Sequence, residues 1–408
     1  MLLASASFGV TTITRFRSAS TLGRASGGGN GRRSLRRCRL TQVGPRLRSS
    51  PKSRCVDPRV DDFRPYRQRF GRNDDEQMTD VTETMVQDRV LEDAVLLACR
   101  APSLHNSQPW RWVSDGAVLH LFADHARLML AADSSGRELL LSCGAVLDHL
   151  RVAMAAAGWD TDVERFPDPH EPDHLAALTF TRADVVTDAR RRRAEAILLR
   201  RTDRLPFDAP NDWAETESRL RLAVVPHLVM TDVVLERDRP ALAEASRLTE
   251  TLRASDPSYQ TELEWWTSPF ASNDSVPPSA LVSASEAGRT DVARAFPSAG
   301  SSDRRPDTVA DGSKLFVLST AREDARLDVL RCGEALSAVL LEATLAGLAT
   351  CTLTHMTEVM PSRDIIRQLT GQIGSPQLLI RIGVAPSNPQ PLPATPRRPL
   401  AEVLVAHR

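Results

Sequence analysis

The chain has 408 residues, 41% apolar and 25% charged. That composition excludes a collagen-like or wholly disordered chain and allows two or three domains around a sizeable core. The formal net charge is zero but unevenly spread: residues 1–72 hold sixteen arginines and one lysine against three aspartates, about +14, and the remainder is acidic by the same amount.

The basic front is rich in serine and glycine and lacks apolar periodicity, so 1–77 is expected to be a disordered leader. Three readings compete for it: a nucleic-acid arm, an organelle transit peptide, or sequence upstream of a true start at Met78. The last is preferred, because ordered-looking sequence begins just after Met78 and an acidic body offers such an arm no basic surface. No nucleic-acid partner is therefore expected. No run of 18 apolar residues occurs, so no membrane span is expected either. The six cysteines form no CxxC pair, which argues against a zinc site or a disulfide framework and for free thiols in a reducing cytoplasm.

The segment 90–101 places Val90, Leu91, Ala94, Val95 and Ala98 on one helical face, with Asp88 as a candidate cap and Pro102 as a stop. A polar turn, APSLHNSQPW (101–110), follows, then a strand over 117–124. The spacing predicts a long helix over 137–159 with almost no polar face, one that must be buried between layers or at an interface. A strand beginning at Leu175 comes next. CGAVLDHLRVAMAAAG (143–158) aligns without gaps on CGEALSAVLLEATLAG (332–347), each followed by a strand-like stretch, in the second copy 376–385. This match predicts two related halves, 78–189 and 190–408. The second half opens with a helix over 191–207 and carries a long irregular insertion, about 254–312. Trp265 and Trp266 favour a lid over something apolar, with a loop packed on the protein's own surface as the alternative.

In LLRRTDRLPF (198–207), Arg200, Arg201 and Arg204 surround Thr202. Guanidinium forks and a hydroxyl suit a phosphate, but on spacing alone an exposed basic helix end is the favoured reading. TPRRPL (395–400) is a second arginine pair, Arg397 and Arg398, held by prolines. In GLATCTLTHMTE (347–358), Gly347 permits a left-handed helix stop. No GxGxxG follows a strand, and no P-loop, HExxH or GxSxG occurs.

Together these stretches resemble the flavin-dependent nitroreductases. APSLHNSQPW resembles that family's APSxxNxQPW turn, RRTDR its RRSxR phosphate motif, and GLATC and RRPL its later motifs. The tandem arrangement resembles the Acg-type actinobacterial branch, over roughly 86–408. The resemblance implies an α+β fold in which two unequal halves form an intramolecular pseudo-dimer with a single FMN site, the chain itself a monomer. It places Arg200, Arg201 and Thr202 at the FMN phosphate, with Arg397 or Arg398 closing over it. Arg204 would sit at the N1/O2 edge, and Pro102, Ser103, Leu104 and Asn106 along the ring and ribityl chain. Leu353, Thr354 and His355 would offer backbone near N5, where many members carry a Glu-Gly pair instead. The implied activity is NAD(P)H-dependent reduction of a small acceptor such as a nitroaromatic or quinone, with FMN storage as the alternative.

Overall fold

The computed structural model describes residues 86–268, 275–296, 303–371, 374–386 and 394–406. The leader and the start at Met78 lie outside the described residues.

Helix α1 spans Asp88–Ala98. Asp88 does not cap it: the cap position is Gln87, and Asp88 lies in the first turn, where its charge still favours the helix dipole. Strands β1 (Trp110–Ser114) and β2 (Leu119–Ala123) follow the polar turn. Helix α2 spans Arg137–Ala156, starting where the Asp133 carboxylate accepts from the backbone N–H groups of Glu138 (3.1 Å) and Leu139 (2.7 Å). By length and composition this helix is apolar enough to cross a membrane. Here all but Arg151 and Ala155 are buried inside the protein, which is why it has no polar face. A hairpin follows, β3 (Trp159–Arg165) on β4 (His174–Arg182). The β3 strand escapes the sequence reading because the charged Asp160, Asp162 and Glu164 occupy its outer face and Thr161 and Val163 are the only short side chains between them.

Helix α3 (Asp188–Leu199) stops short of the predicted Phe207. Beyond it the chain is extended, with Thr202 bridging Thr350 and the Asp203 N–H donating to the Thr350 carbonyl at 3.0 Å. Helix α4 (Trp213–Val224), β5 (Met230–Val233) and α5 (Arg239–Ala254) come next. The insertion is less irregular than predicted. It contains α6 (Pro257–Thr267), capped by Asp256, and α7 (Ala284–Gly288), with a reciprocal Ser283–Glu286 capping box. Then come β6 (Lys314–Thr320), α8 (Arg326–Leu345), β7 (Ala349–Leu353), α9 (Met360–Thr370), β8 (Ser375–Gly383), α10 (Leu400–Val403) and β9 (Leu404–Ala406). The strand directly after the second long helix is therefore β7, not the predicted 376–385, which is β8. Gly347 has φ +75° and closes α8 as its sequence position predicts.

The strands form two sheets, ordered β3-β4-β2-β1-β9 and β5-β6-β8-β7. All neighbours are antiparallel except β1 and β9, so the C-terminal strand returns to pair with the first strand. Helices α2 and α8 pack against each other in the main core. They meet at two glycines: a Cβ on Gly144 would lie 2.0 Å from the Leu330 carbonyl, and one on Gly333 would lie 2.1 Å from the Leu141 carbonyl. These contacts exchange under a shift of 189 positions, the same separation as the Ser337–Asp148 hydrogen bond (2.5 Å) nearby. Only glycine lets the two backbones approach so closely.

Candidate functional site

The turn after α1 is held in an unusual conformation. His105, Asn106 and Gln108 all have positive φ, at 47°, 65° and 49°. Three left-handed non-glycine residues within four positions are strained and must be fixed by their surroundings. Side-chain hydrogen bonds fix them. Ser103 Oγ accepts from the Gln108 N–H (3.0 Å), and Ser142 Oγ accepts from the Leu104 N–H (3.3 Å). Asn106 Nδ2 donates to the carbonyls of Ser275 (3.3 Å) and Pro396 (3.2 Å), while its Oδ1 accepts from Arg397 (2.9 Å). Gln108 Oε1 accepts from the Arg398 N–H at 3.0 Å. The turn is thus tied to segment 394–398, some 290 residues away.

Two adjoining spaces open beside this turn. The larger is open to solvent at one side and runs between the turn, β7 and the insertion. Its walls are mostly apolar, from Leu104, Leu141, Phe296, Leu336, Leu353 and Leu378. The smaller is polar and lined by Arg100, Arg200, Arg201 and Arg397, with Asn106 and Thr395. Pro102, Ser103, Thr202 and Arg204 face both spaces.

The sequence-predicted residues divide accordingly. Pro102, Ser103, Leu104, Thr202, Arg204, Leu353 and Thr354 line the larger space, and Arg200, Arg201, Asn106 and Arg397 line the arginine-rich one. Asn106 therefore does not border the apolar space, because its amide is consumed by Pro396, Ser275 and Arg397. Two others lie outside both. His355 is fully buried behind β7, where its Nε2 meets Ser246 Oγ at 2.8 Å. Arg398 turns towards the Gln108 carbonyl (3.3 Å), Asp124 (3.4 Å) and the Glu402 carbonyl (3.1 Å), bracing the turn from behind. Neither tryptophan of the insertion lines the cavity. Trp265 is exposed, and Trp266 packs under Arg127. The insertion reaches the cavity instead through Val282, Ala287, Thr290 and the run from Ala293 to Phe296.

The arginine cluster is electrostatically incomplete. Arg200 is pushed down to about 9 by burial and by the Arg100 and Arg201 charges, and Arg100 to about 10 by burial and Arg201. Burial, with Arg100 and Arg200 alongside, holds Arg397 well below the ordinary arginine range. None of these four has a carboxylate within 4.0 Å among the described residues. Their hydrogen bonds differ. Arg397 spends all three nitrogens on protein: Nε on the Cys99 carbonyl (2.8 Å), Nη2 on those of Arg100 (3.0 Å) and Ala101 (3.2 Å), and Nη1 on Asn106 and segment 395–396. It caps the C-terminal end of α1. Arg200 donates through Nη2 to the Arg100 carbonyl (3.1 Å), and Arg201 through Nη1 to two carbonyls. The buried Nε atoms of Arg200 and Arg201 find no acceptor among the described residues. Asp203, next in sequence, does not neutralise them, because it turns away to Arg305 at 2.5 Å. An anion with several oxygens is the natural complement of such a set.

Arg100, His105, Glu138, Arg294 and Phe296 are site residues the sequence reading missed. Arg100 directly precedes the APS turn, and a basic residue beside a polar turn was the available signal. Arg294 and Phe296 lie in the insertion, and only the fold brings them to the cavity.

No family model matches the sequence. The chain is 56% identical over 321 residues, 79% of its length and 97% of the relative's, to the Mycobacterium tuberculosis protein named "Putative NAD(P)H nitroreductase acg". It is 38% identical over 324 residues, 76% of its length and 89% of the relative's, to "Putative NAD(P)H nitroreductase Rv3131" of the same organism. Among solved structures it is similar to a "putative nitroreductase" of Anabaena variabilis, at 8% identity and TM-score 0.45, covering 76% of this chain and 93% of that one.

Proposed function

Because the chain belongs to the Acg-like nitroreductase family, we propose that its two adjoining spaces hold one FMN and serve NAD(P)H-dependent reduction of a small oxidised aromatic acceptor, a nitroarene or quinone. The observation that carries this reading is the arginine cluster without carboxylates, opening through a shared wall onto a large apolar cavity. One side fits a phosphate and the other a flat ring, which is the chemistry of FMN from end to end.

When bound, FMN supplies two-electron hydride chemistry that no side chain here can perform. The chain's residues do the rest. Arg200 and Arg201, with their unspent N–H groups, and Arg100 beside them meet the phosphate together with Thr202. Arg397 holds the end of α1 and the turn in place and keeps the cluster positive. Arg204 stands where the two spaces meet and places a cation beside the ring. Pro102, Ser103 and Leu104 face the ring on the turn side, and Leu353 and Thr354 offer the end of β7. The apolar walls exclude water, which protects a transferable hydride.

We infer further that the site belongs to two related halves, 78–189 and 190–408, that form a pseudo-dimer within one cytoplasmic monomer. The exchange of contacts about Gly144 and Gly333 under a 189-residue shift supports this. The APS turn comes from the first half and the arginines mostly from the second, so the parts complete one site. Storage of FMN is a second reading, favoured by the way Arg294 and Phe296 bring the insertion to the cavity as a lid.

Equilibrium titration tests the cofactor reading. FMN should bind at least about 100-fold more tightly than riboflavin, which lacks the phosphate the arginines would grip; equal affinities would contradict it. Rapid mixing of the loaded protein with NADPH or NADH separates the two roles: bleaching of the flavin band within seconds supports the enzyme, and a stable band supports storage.

A further inference from the structure

At the insertion end of the cavity, one polar side chain is left over. Around His105, Ser103, Asn106 and Gln108 are engaged as described. Glu138 is committed to Arg137, and Arg294 to Glu358, the Tyr259 hydroxyl (2.6 Å) and Thr354 Oγ1 (3.1 Å). His105 is only 5% exposed and lines the cavity, yet neither ring nitrogen has a partner among the described residues. Buried polar groups are almost always satisfied, so two unmet nitrogens on one buried ring call for a partner. His105 has a φ of 47°, a strained backbone conformation held by the turn. Its neighbour across the cavity is Phe296, with ring centroids 5.6 Å apart and planes tilted by 55°, and Arg204 lies 4.9 Å from the Phe296 ring centroid.

We propose that His105 selects the second substrate, its imidazole donating a hydrogen bond to a carbonyl or nitro oxygen of a planar aromatic acceptor held between the turn and the Arg294–Phe296 wall. This assignment rests on the cofactor reading above. Burial, with Arg294 and Arg204 nearby, pushes the imidazole well below its usual range, so the ring is neutral, with one N–H and one bare nitrogen. A neutral donor suits an uncharged quinone or nitro oxygen. An aromatic hydrocarbon of the same shape leaves the donor unmet, and the site discriminates against it for that reason. The bond belongs to the acceptor and not to FMN because His105 faces residues of the insertion.

The test uses the full chain and two variants, His105→Leu and His105→Gln. FMN affinity is measured first. The oxidised, FMN-loaded proteins are then titrated without reductant with 2,3-dimethyl-1,4-naphthoquinone and with 2,3-dimethylnaphthalene. His105→Leu should weaken quinone binding by about 10-fold and leave the hydrocarbon and FMN affinities unchanged. His105→Gln, which keeps a donor, should recover most of the loss. In the wild type, the quinone but not the hydrocarbon should shift the His105 ring resonances in nitrogen-15 NMR spectra. Unchanged quinone affinity in His105→Leu overturns the assignment while leaving the cofactor reading intact. A fall in FMN affinity instead overturns it by placing the imidazole on the cofactor. Failure of the wild type to take up FMN removes both.

Discussion

Two groups of buried arginines in this protein behave in opposite ways. Around Asp311, the carboxylate accepts from Arg381 at 2.6 and 3.1 Å, from Arg239 at 2.8 Å, from Ser313 Oγ at 2.5 Å and from the Phe207 N–H at 2.8 Å. Burial pushes the Asp311 carboxyl upwards, but Arg381, Ser313 and the Phe207 amide outweigh it and hold the group below the usual carboxylate range. Around Arg200 there is no such carboxylate, and the arginines depress one another. The first group has its charges paired within the chain and braces the second sheet, although Arg381 also lines the larger space and its buried Nη1 finds no acceptor among the described residues. The second is charged, crowded and unfinished, and it borders a cavity. Unpaired charge is tolerated where something outside the chain completes it.

The largest expected effect breaks the finished group. Asp311→Ala leaves Arg381 and Arg239 facing each other, with Arg381 fully buried, and should cost about 3–5 kcal/mol of stability in denaturant unfolding. The sign with pH follows from the lowered value. Asp311 contributes its stability above its unfolded value of 3.8, and that contribution is lost as pH falls through the lower folded one. The wild type should therefore lose part of its acid stability only below pH 3.8, and the variant should lack that step.

Within the unfinished group the arginines should separate by role. Arg200→Met removes a repelled cation with an idle Nε, so the cofactor-free melting temperature should stay level or rise while FMN affinity falls by about 10- to 100-fold. Arg397→Met removes the clamp on α1 and should cost about 1–3 kcal/mol in the cofactor-free protein, with a smaller proportional loss of FMN affinity. If Arg200→Met destabilises as much as Arg397→Met, the two do not have distinct tasks.

The smallest effect comes from inorganic phosphate. Millimolar phosphate should raise the melting temperature of the cofactor-free wild type by a few degrees, and less so for Arg200→Met. Because the cluster stays positive, the gain should grow from about pH 6 to about pH 8, as inorganic phosphate takes its second charge at about pH 7, roughly a unit above a phosphate monoester.

Local signals carried much of this into the sequence. Pro102 ended a helix, Gly347 ended another, and the apolar run from Arg137 had to be buried; each feature depends on residues close together in the chain. The polar turn and the arginines beside Thr202 stood out in the sequence through their resemblance to family motifs, since on spacing alone an exposed basic helix end explained the arginines as well. What stayed hidden depends on long-range contact. Arg397 and Arg398 are neighbours, yet one enters the cluster and the other braces the turn from behind, a choice set by Cys99 and Asp124 nearly 300 positions away. His355 looked as available as Thr354, but the chain buries it against Ser246. Two tryptophans drew attention within the insertion, while the less conspicuous Arg294 and Phe296 reach the cavity. The helix over 257–267 was masked by the prolines and serines that follow it and by Pro257, although Pro257 sits at a first-turn position where proline is welcome.

The central claim is that fragments from both parts of one chain complete a single flavin site. Titrating cofactor-free protein with FMN and following the flavin absorbance to saturation tests it most directly. The account predicts a yellow protein with one FMN per chain; saturation at two, or a protein that stays colourless in excess FMN, would contradict it.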